Sequence, residues 1–278
     1  MPAGVYTARK KDGTVYYRSS VTYKNKHISL GSFDSADDAN KAYLEACDIL
    51  SSPLKYRVNS ELHTTSYSPE LKIPFEKFII LINFRDSGIY IKTPIYLCQN
   101  CFLYFIGERT ALIFNTDDLF YYSNHKIMAR GGYYFVNDFG MQTSILSRYG
   151  IRAHSVKGRD YIFRNGDTCD YRYENILVVN RYRGVEKTEI KGHIKYRASI
   201  HIKGIYRLGL YDSEVQAAIA YNKAVDMLSE FSSVKYEKNF IEDISSIQYA
   251  SIYNKIKLSG NFRKYAKIIK AKNLPHKS

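Results

Sequence analysis

The sequence predicts an α+β protein in which two small domains, each a three-stranded antiparallel sheet with one helix, flank a β-rich central module. The first observation is an internal repeat, because YKNKHISLGSFDSADDANKAYLEA (residues 23–46) returns in varied form as HIKGIYRLGLYDSEVQAAIAYNKA (residues 201–224). The second is strict apolar and polar alternation just before each stretch. A repeat of this length indicates two copies of one domain, which we place at 1–57 and 184–236. The rest of the chain is divided into the segments 58–140, 141–183 and 237–278.

Each copy of the repeat predicts three strands followed by a helix. YYRSSVTY (16–23) and KYRASIHI (195–202) alternate as strands do, and KDG (11–13), KNK (24–26) and KG (203–204) supply hairpin turns. Asp34-Ser35 and Asp212-Ser213 are N-cap candidates, with Asp38 and Gln216 three residues after each serine at capping-box spacing. Helices are therefore expected over about 36–50 and 214–230.

Alternation assigns the strand residues to two faces of each sheet. The side chains predicted to face the helix are Val5, Tyr17, Ser19, Val21, Ile28 and Leu30, and in the second copy Val185, Tyr196, Ala198, Ile200, Tyr206 and Leu208. The opposite face would carry Tyr16, Arg18, Ser20, Thr22, His27 and Ser29, and in the second copy Lys195, Arg197, Ser199, His201 and Arg207. A face of cations and hydroxyls can read a DNA groove, and an ordinary solvated face is the alternative.

The remaining segments give weaker patterns. Runs rich in Ile, Phe and Tyr predict strands in FEKFIILINF (75–84), SGIYIKTPIYLC (87–98), CFLYFIGERTALIF (101–114) and GGYYFVNDF (131–139). In the C-terminal segment, Ile241, Ile244, Ile247, Ile252 and Ile256 predict a helix that breaks at Ser259-Gly260. The lysines and arginine that follow predict either a short basic helix or a disordered basic tail that could contact phosphates.

Composition points to a polyanionic partner. The chain has 41 Lys+Arg against 27 Asp+Glu, a formal charge of +14, with most of the surplus after residue 141. A localised basic surplus suggests nucleic acid, and a solvated basic surface is the alternative. Cys98 and Cys101 form only half of a metal site, so we interpret the four cysteines as reduced thiols. With no apolar run long enough for a membrane span and no signal-peptide pattern, we expect a cytoplasmic, nucleoid-associated protein with no membrane partner.

Both copies of the repeat resemble the APETALA2-type DNA-binding domain of plant ethylene-response factors, which also occurs in homing endonucleases. The resemblance lies in Gly-Val, an aromatic-Arg strand, Leu-Gly, an aromatic-Asp-Ser sequence and Ala-x-x-x-Tyr, over about 50 residues in each copy. It implies that the sheet enters the major groove and that the polar face assigned above contacts bases. The chain lacks Trp, so the family's target sequence does not carry over.

Residues 158–187 resemble the core of HNH homing endonucleases, so the central module is expected to be HNH-like. Gly166, Asp167, Arg172, Glu174 and Asn175 match the family's pattern. The two histidines of that pattern fall on Ile162 and Phe163, and its asparagine ligand falls on Tyr171. Apolar and phenolic groups cannot activate water or hold a hard cation at neutral pH, so the resemblance implies a module that has lost its chemistry.

We therefore expect a non-enzymatic, sequence-specific double-stranded DNA-binding protein, a transcriptional regulator or a factor derived from a mobile element. We expect no cofactor and no metal, and the oligomeric state stays open. Beyond the two polar faces, the expected DNA contacts are Arg9, Lys10, Arg164, Arg172, Arg181 and Arg183, with local salt bridges as the alternative for the arginines of the central module. Arg197→Ala or Arg207→Ala should each cost ~1–3 kcal/mol of specific binding. The alternative functions are a metal-dependent HNH-type endonuclease rebuilt from His154, Asp160, Asp167 and Asp170, and a scaffold for protein partners.

Overall fold

A computed structural model describes residues 2–153, 155–229 and 236–273 of the chain. The chain divides into two units, the first formed by residues 1–145 with 163–176 and the second by 146–162 with 177–278. Within the described residues it is a mixed α+β protein with six small sheets and six α-helices. The five predicted segments are grouped differently, because 141–183 is divided between both units while 184–236 and 237–278 belong to one.

Short strands in groups and six α-helices follow one another along the described residues. Up to residue 145 the elements are β1 (Val5–Arg9), β2 (Val15–Tyr23), β3 (Lys26–Phe33), α1 (Ala36–Ser51), β4 (Val58–Asn59), β5 (Thr64–Thr65), α2 (Phe75–Ser87), β6 (Ile95–Leu97), β7 (Cys101–Gly107), β8 (Thr110–Asn115), α3 (Leu119–Asn124), β9 (Ile127–Arg130), β10 (Tyr133–Asp138) and β11 (Met141–Ser144). After it they are β12 (Tyr161–Phe163), β13 (Ile176–Val178), β14 (Val185–Ile190), β15 (His193–His201), β16 (Ile205–Tyr211), α4 (Glu214–Ser229), α5 (Ser246–Lys255) and α6 (Gly260–Asn273).

The first copy of the repeat is the predicted three-stranded antiparallel sheet with a helix. The strand order is β1-β2-β3, and α1 begins after Ser35, whose hydroxyl accepts a hydrogen bond from the Asp38 N–H. Small side chains bring the helix close to the sheet, because Ala39, Ala42 and Ala46 are fully buried beneath it. The repeat and its secondary structure are therefore confirmed at this copy.

A glycine at the start of the repeat makes room for the helix tyrosine. Gly4 has φ +71°, and a Cβ built on it would lie 2.1 Å from the Tyr43 ring. Gly184 and Tyr221 repeat this arrangement in the second copy, with φ +69° and a distance of 2.4 Å. The spacing of a Gly-Val pair before the sheet and a tyrosine in the helix thus has a steric reason, because only glycine fits beneath the ring.

The second copy reproduces the first in detail. Its strands pair in the order β14-β15-β16 and α4 covers one face. Register shifts occur between Ser19 and Ser20 in the first sheet and between Ala198 and Ser199 in the second, at equivalent positions of the repeat. An extra residue at such a bulge bends the strand and increases its twist, so both sheets curve at the same place.

The apolar run at 75–84 is a helix, and the strand predicted there is wrong. The helix α2 begins after Pro74 and ends at Gly88, which has φ 74°. Both sides of α2 are buried, because it packs against α1 on one side and against β6 and β7 on the other. A helix buried all round has no amphipathic period, so a continuous apolar run does not distinguish it from a buried strand. None of the described helices has the length and apolar character needed to cross a bilayer.

The strands predicted at 101–114 and 131–139 are confirmed. They form the β7-β8 hairpin within the sheet β6-β7-β8, and the central strand β10 of the sheet β11-β10-β9. In the stretch 87–98 only β6 is a strand. Phe102, Tyr104, Phe114 and Tyr122 are buried side by side and fill the space beneath the first of these sheets.

The C-terminal segment is part of the second unit's core. Two helices are present as predicted, but the first, α5, ends at Lys255 and α6 begins at Gly260, so the break lies at 256–259 and not at Ser259-Gly260. The helix α5 begins only at Ser246, behind a Ser245 capping box, so Ile241, Ile244 and Ile256 lie outside it. Phe262 is fully buried in the same core as α4 and the second sheet. The Ser259 N–H donates to the Leu208 carbonyl at 2.7 Å, which pairs a backbone group on the free side of β16.

Candidate nucleic-acid interface

One face of the first sheet carries polar and aromatic side chains and has no helix over it. We call this the first outer face, and its members are Tyr6, Tyr16, Arg18, Thr22, His27, Ser29 and Ser32. The strand register places Tyr6, Arg18 and Ser32 side by side on the three strands. On the opposite side Val21, Ile28 and Leu30 are buried against α1. The predicted separation into a core face and a polar face is confirmed for these residues.

Arg18 is exposed at the centre of the first outer face. Its Nη2 donates to the Tyr16 hydroxyl at 2.9 Å, and its guanidinium carbon lies 5.6 Å from the centre of the Tyr16 ring. Thr22 and His27 pair across the strands with Oγ1 3.4 Å from Nδ1. No carboxylate among the described residues lies within ion-pair distance of Arg18. Its guanidinium edge is therefore free to bind an external acceptor.

Ser20 is an exception on this sheet. It was expected on the polar face, but it is only 6% exposed and its hydroxyl has no hydrogen-bond partner within the described chain. The Ser20 N–H donates to the Gly4 carbonyl at 3.0 Å, beside the bulge. This holds Ser20 at the crowded centre of the sheet, so the prediction that its side chain is accessible is wrong.

The second sheet has an equivalent face whose cations are partly neutralised. We call it the second outer face, and its members are Glu186, Lys195, Arg197, Ser199, His201, Ile205, Arg207 and Leu210. Glu186 stands where the first copy has Tyr6, directly across the strand from Arg197, and accepts from its Nη1 at 3.0 Å. Lys195 forms an ion pair with Asp212. The arginine and lysine of the second copy therefore face carboxylates of their own chain.

Other predicted contact residues on the two copies remain available. Arg207 and His201 are exposed on the second outer face, and Arg9 and Lys10 are exposed at the β1–β2 hairpin. Within the described part of the chain none of these four side chains has an ion-pair or hydrogen-bond partner. Ser199 is half-buried. The cationic positions without counter-charges thus lie on both copies.

The arginines expected between the repeats are mostly engaged in local ion pairs. Arg172 binds Asp170 through two guanidinium nitrogens at 2.9 and 2.7 Å. Arg181 pairs with Asp243, and Arg183 donates to Glu237 at 2.6 Å. Of the four, Arg164 alone is exposed without a carboxylate partner among the described residues. Arg172, Arg181 and Arg183 therefore form local salt bridges, the alternative to phosphate contacts, and Arg164 does not.

Phe163 and Tyr171, where the HNH pattern would have a histidine and an asparagine, are packed against other aromatic rings. Tyr171 is 6% exposed and stacks on Phe114, with ring centres 5.5 Å apart, and Phe163 packs edge-on against it at 5.6 Å. Asp170 is held by Arg172, and Asp160 is held by Arg159 at 2.7 Å and by the Asn180 amide. Neither carboxylate is free to bind a hydrated cation.

Of the three aspartates considered for a rebuilt site, Asp160, Asp167 and Asp170, Asp167 is the exposed one. It lines a cavity of about 460 Å³ with His63, Glu108 and Cys169 in the first unit. Over the ranges that the structure describes, no three His, Cys, Asp or Glu side chains are placed to hold a metal ion together. His154, the predicted partner for a rebuilt site, lies outside the described residues.

The ion pair between the buried Asp170 and the partly exposed Arg172 is expected to make the first unit sensitive to acid. Burial would raise the pKa of the Asp170 carboxyl, but hydrogen bonds from Arg172 and Asn165 outweigh burial and hold it below its ordinary value. A pKa depressed by folding contributes stability above the unfolded value, near 3.9, and this contribution is lost as the pH falls through the folded value.

We expect Asp170→Asn to lower the free energy of unfolding at pH 7 by about 2–3 kcal/mol, because charge-assisted hydrogen bonds are lost. The variant should also lose less stability than the parent between about pH 4 and pH 2. Urea unfolding over this pH range measures both effects. Asp117→Asn, at an exposed position, is the control, and an equal pH profile for the two variants would contradict this account.

The Cys98 and Cys101 pair is half-buried at the turn before β7. Burial, with Cys101 beside it, raises the pKa of the Cys98 thiol to about 12. A thiol with such a pKa is protonated at neutral pH and reacts poorly as a nucleophile. Neither Cys98 nor Cys101 forms a disulfide within the described residues.

Sequence reasoning missed three residues that shape these surfaces. Tyr6 and Glu186 occupy one position of the repeat, and the hairpin register could have placed them opposite Arg18 and Arg197. Asn239 lies in the C-terminal segment, where no contact was predicted for it, yet it is 5% exposed. Its Oδ1 accepts from the Arg152 guanidinium at 2.6 Å and from the Arg183 N–H at 2.7 Å. No local sequence pattern predicts these contacts, because Arg183 and Arg152 lie 56 and 87 residues from Asn239 in the chain.

No family model, curated protein or solved structure matches the chain.

Proposed function

We propose that the chain is a sequence-specific, non-catalytic double-stranded DNA-binding protein that meets the major groove with the outer faces of its two β-sheets. The observation that carries the proposal is Arg18, an exposed guanidinium at the centre of an uncovered sheet face with no carboxylate partner in the described chain. Hydroxyl, phenol and imidazole groups surround it. Such a protein would act at the genome, as a transcriptional regulator or as a factor derived from a mobile element.

The dimensions of the first outer face agree with those of a DNA groove. Three strands spaced about 4.8 Å apart place their outer members roughly 10 Å from each other. The major groove is about 12 Å wide, so it admits a narrow pleated surface of this size. Arginine can donate two hydrogen bonds to guanine O6 and N7, while Thr22 and Ser29 can serve base edges or phosphates.

The second outer face would bind more weakly than the first. Before Arg197 can donate hydrogen bonds to DNA, its ion pair with Glu186 must break or be shared with the DNA. An ion pair this exposed is worth about 0–1 kcal/mol, so a guanine or a phosphate can compete with it. Two faces on one chain would still increase affinity for a composite site through effective concentration.

The absence of catalysis is part of the proposal. It is supported by the apolar packing around Phe163 and Tyr171 and by the engagement of Asp160 and Asp170 with arginines. A phosphodiester nuclease needs a generated nucleophile and a cation against the phosphate. The groups that the resemblance assigns to these tasks are replaced in this chain.

The proposal predicts specific, salt-dependent binding to duplex DNA. A duplex is first selected from a random library with the full chain and is then compared with a scrambled duplex by equilibrium titration. We expect the selected duplex to bind at least tenfold more tightly at about 150 mM salt. If ~6–8 phosphates are contacted, the slope of log K against log salt should be about −5 to −7.

Equal affinity for the two duplexes at this salt concentration would remove sequence specificity from the proposal. Absence of binding to any duplex at low salt would favour the interaction-scaffold alternative instead. Incubating the chain with supercoiled plasmid and Mg²⁺ or Mn²⁺ serves as the accompanying control, because nicking lost in Asp167→Ala would contradict the non-catalytic part.

A further inference from the structure

The second unit contains a cavity of about 280 Å³ beside the start of the second sheet. Its lining includes the cations Arg152, Arg159 and Arg183, the carboxylates of Asp160 and Glu186, and the hydroxyl residues Ser155 and Ser199. The Glu186 carboxylate is held by Arg197 at 3.0 Å. Ser199 also belongs to the second outer face, at the bulge of β15. The cavity therefore connects the surface proposed for DNA contact with the segment that precedes β12.

Three guanidinium groups line this cavity, and they differ in how they are balanced. Arg159 is neutralised by the Asp160 carboxylate at 2.7 Å. Arg183 pairs with Glu237, whose side chain is 79% exposed. Arg152 is half-buried, and its one side-chain partner in the described residues is the neutral Asn239 carbonyl oxygen. Among the described residues, Arg152 thus has no carboxylate at ion-pair distance, and it brings a positive charge to the cavity.

The surroundings of Arg152 increase the cost of this charge. Burial and the positive charge of Arg183 lower the pKa of the Arg152 guanidinium from its ordinary value, and the Glu237 carboxylate offsets them only in part. A cation withdrawn from water without an anionic partner is unfavourable, and an anion in the cavity would remove this cost.

Two hydroxyl groups add the donors that an oxyanion requires. The side chains of Ser155 and Ser199 line the cavity, and neither hydroxyl makes a hydrogen bond within the described parts of the chain. Guanidinium and hydroxyl donors together match the oxygen atoms of a phosphate, and arginine binds such oxygens in a bidentate manner.

We propose that this cavity binds a phosphate group, with Arg152, Ser155 and Ser199 as donors. Two sources share this chemistry. One is a backbone phosphate of a duplex lying on the second outer face, which rests on the proposed function, and the other is the phosphate of a free nucleotide, which does not.

The test uses the full chain and the variant Arg152→Met, with Lys157→Met as a matched control. Lys157 is an exposed cation of the same segment and does not line the cavity. Thermal unfolding is measured with inorganic phosphate and with AMP, each against chloride at equal ionic strength. A ligand that binds the folded state raises the unfolding temperature. In parallel, the salt dependence of duplex binding is measured for the three proteins.

A rise in unfolding temperature with phosphate or AMP that Arg152→Met loses and Lys157→Met keeps assigns the site to a free phosphate ligand. The affinity should fall about ten- to a hundredfold in Arg152→Met. No response to either ligand, but a salt slope for duplex binding that is smaller by about 1 in Arg152→Met than in Lys157→Met, assigns the site to the DNA backbone. If Arg152→Met behaves as Lys157→Met in both measurements, the proposal is overturned.

Loss of the Asn239 contact could also unfold the Arg152 variant. Ser155→Ala leaves the Arg152–Asn239 bond in place and should weaken the phosphate interaction by about fivefold. An unchanged phosphate affinity and an unchanged duplex affinity in Ser155→Ala would equally overturn the proposal. Because the free-phosphate arm needs no DNA, failure of the proposed function and failure of this site give different results.

Discussion

Replacing Gly184 with alanine is expected to lower the free energy of unfolding of the second unit by about 2–5 kcal/mol. At φ +69° an alanine is strained by about 1–2 kcal/mol. Its Cβ would also lie 2.3 Å from the Ser199 carbonyl oxygen and 2.4 Å from the Tyr221 ring. The first neighbour is backbone and the second is a buried ring, so neither can yield without displacing the core, which adds about 1–3 kcal/mol.

Gly192→Ala is the matched control for this prediction. Gly192 also has a positive φ, 77°, but no atom lies within 4 Å of the position of a Cβ. It should therefore lose only the backbone contribution of about 1–2 kcal/mol. Urea unfolding of both variants separates the two effects, and equal losses would mean that the glycine–tyrosine contact does not determine how the helix sits on the sheet.

The Gly184 contact also matters for the surface proposed to bind DNA. The Ser199 N–H donates to the Gly184 carbonyl at 2.7 Å, and both residues line the cavity. In the first copy, Gly4 and Ser20 make the same contact at 3.0 Å. In both copies, the same hydrogen bond from a serine N–H to a glycine carbonyl therefore lies beside the bulge that shapes the outer face.

Arg18→Ala is expected to cost about 1–3 kcal/mol of specific duplex binding, a larger loss than truncation of a cation that is already paired with a carboxylate of its own chain. The loss follows because an arginine without an internal counter-charge can donate both guanidinium bonds to a base. Equilibrium titration with the selected duplex measures it. Lys41→Ala removes the same charge from an exposed position on α1 and should cost well under 1 kcal/mol.

The structure revises the effect expected for Arg197→Ala. The Glu186 carboxylate already holds Arg197, so its truncation should cost less than truncation of Arg18. Arg207 has no such partner in the described chain and keeps the original expectation of about 1–3 kcal/mol. If Arg197→Ala proves more harmful than Arg18→Ala, the non-equivalence of the two outer faces is wrong.

The sequence predicted those features whose causes are local. The two sheets and their helices follow from alternation, hairpin turns and the Ser35 cap, which act within a few residues of one another. The helix α2 could not be distinguished from a strand, because burial on all sides removes the period that identifies a helix. The prediction that the Ser20 side chain is accessible was wrong for a related reason. A bulge interrupts the alternation from which its face was assigned.

The sequence predicts which residue types lie at the candidate site, but it does not predict which of its cations are paired with carboxylates. Which arginines are neutralised depends on carboxylates brought close by the fold, such as Glu237 for Arg183 and Asp243 for Arg181, 54 and 62 residues away. Glu186 is different, because the β14–β15 hairpin sets its place opposite Arg197 and the register could have been derived from the turn. A repeat is therefore best compared face by face, since equivalent strands can carry opposite charges.

The most direct measurement for the first outer face is selection from a random duplex library with the parent chain, Arg18→Ala and Lys41→Ala. We expect the parent and Lys41→Ala to select one common motif. Arg18→Ala should select the same motif with one base position relaxed, because its side chain would read that base. If all three proteins select an identical motif, or if none selects any, the first outer face does not read DNA.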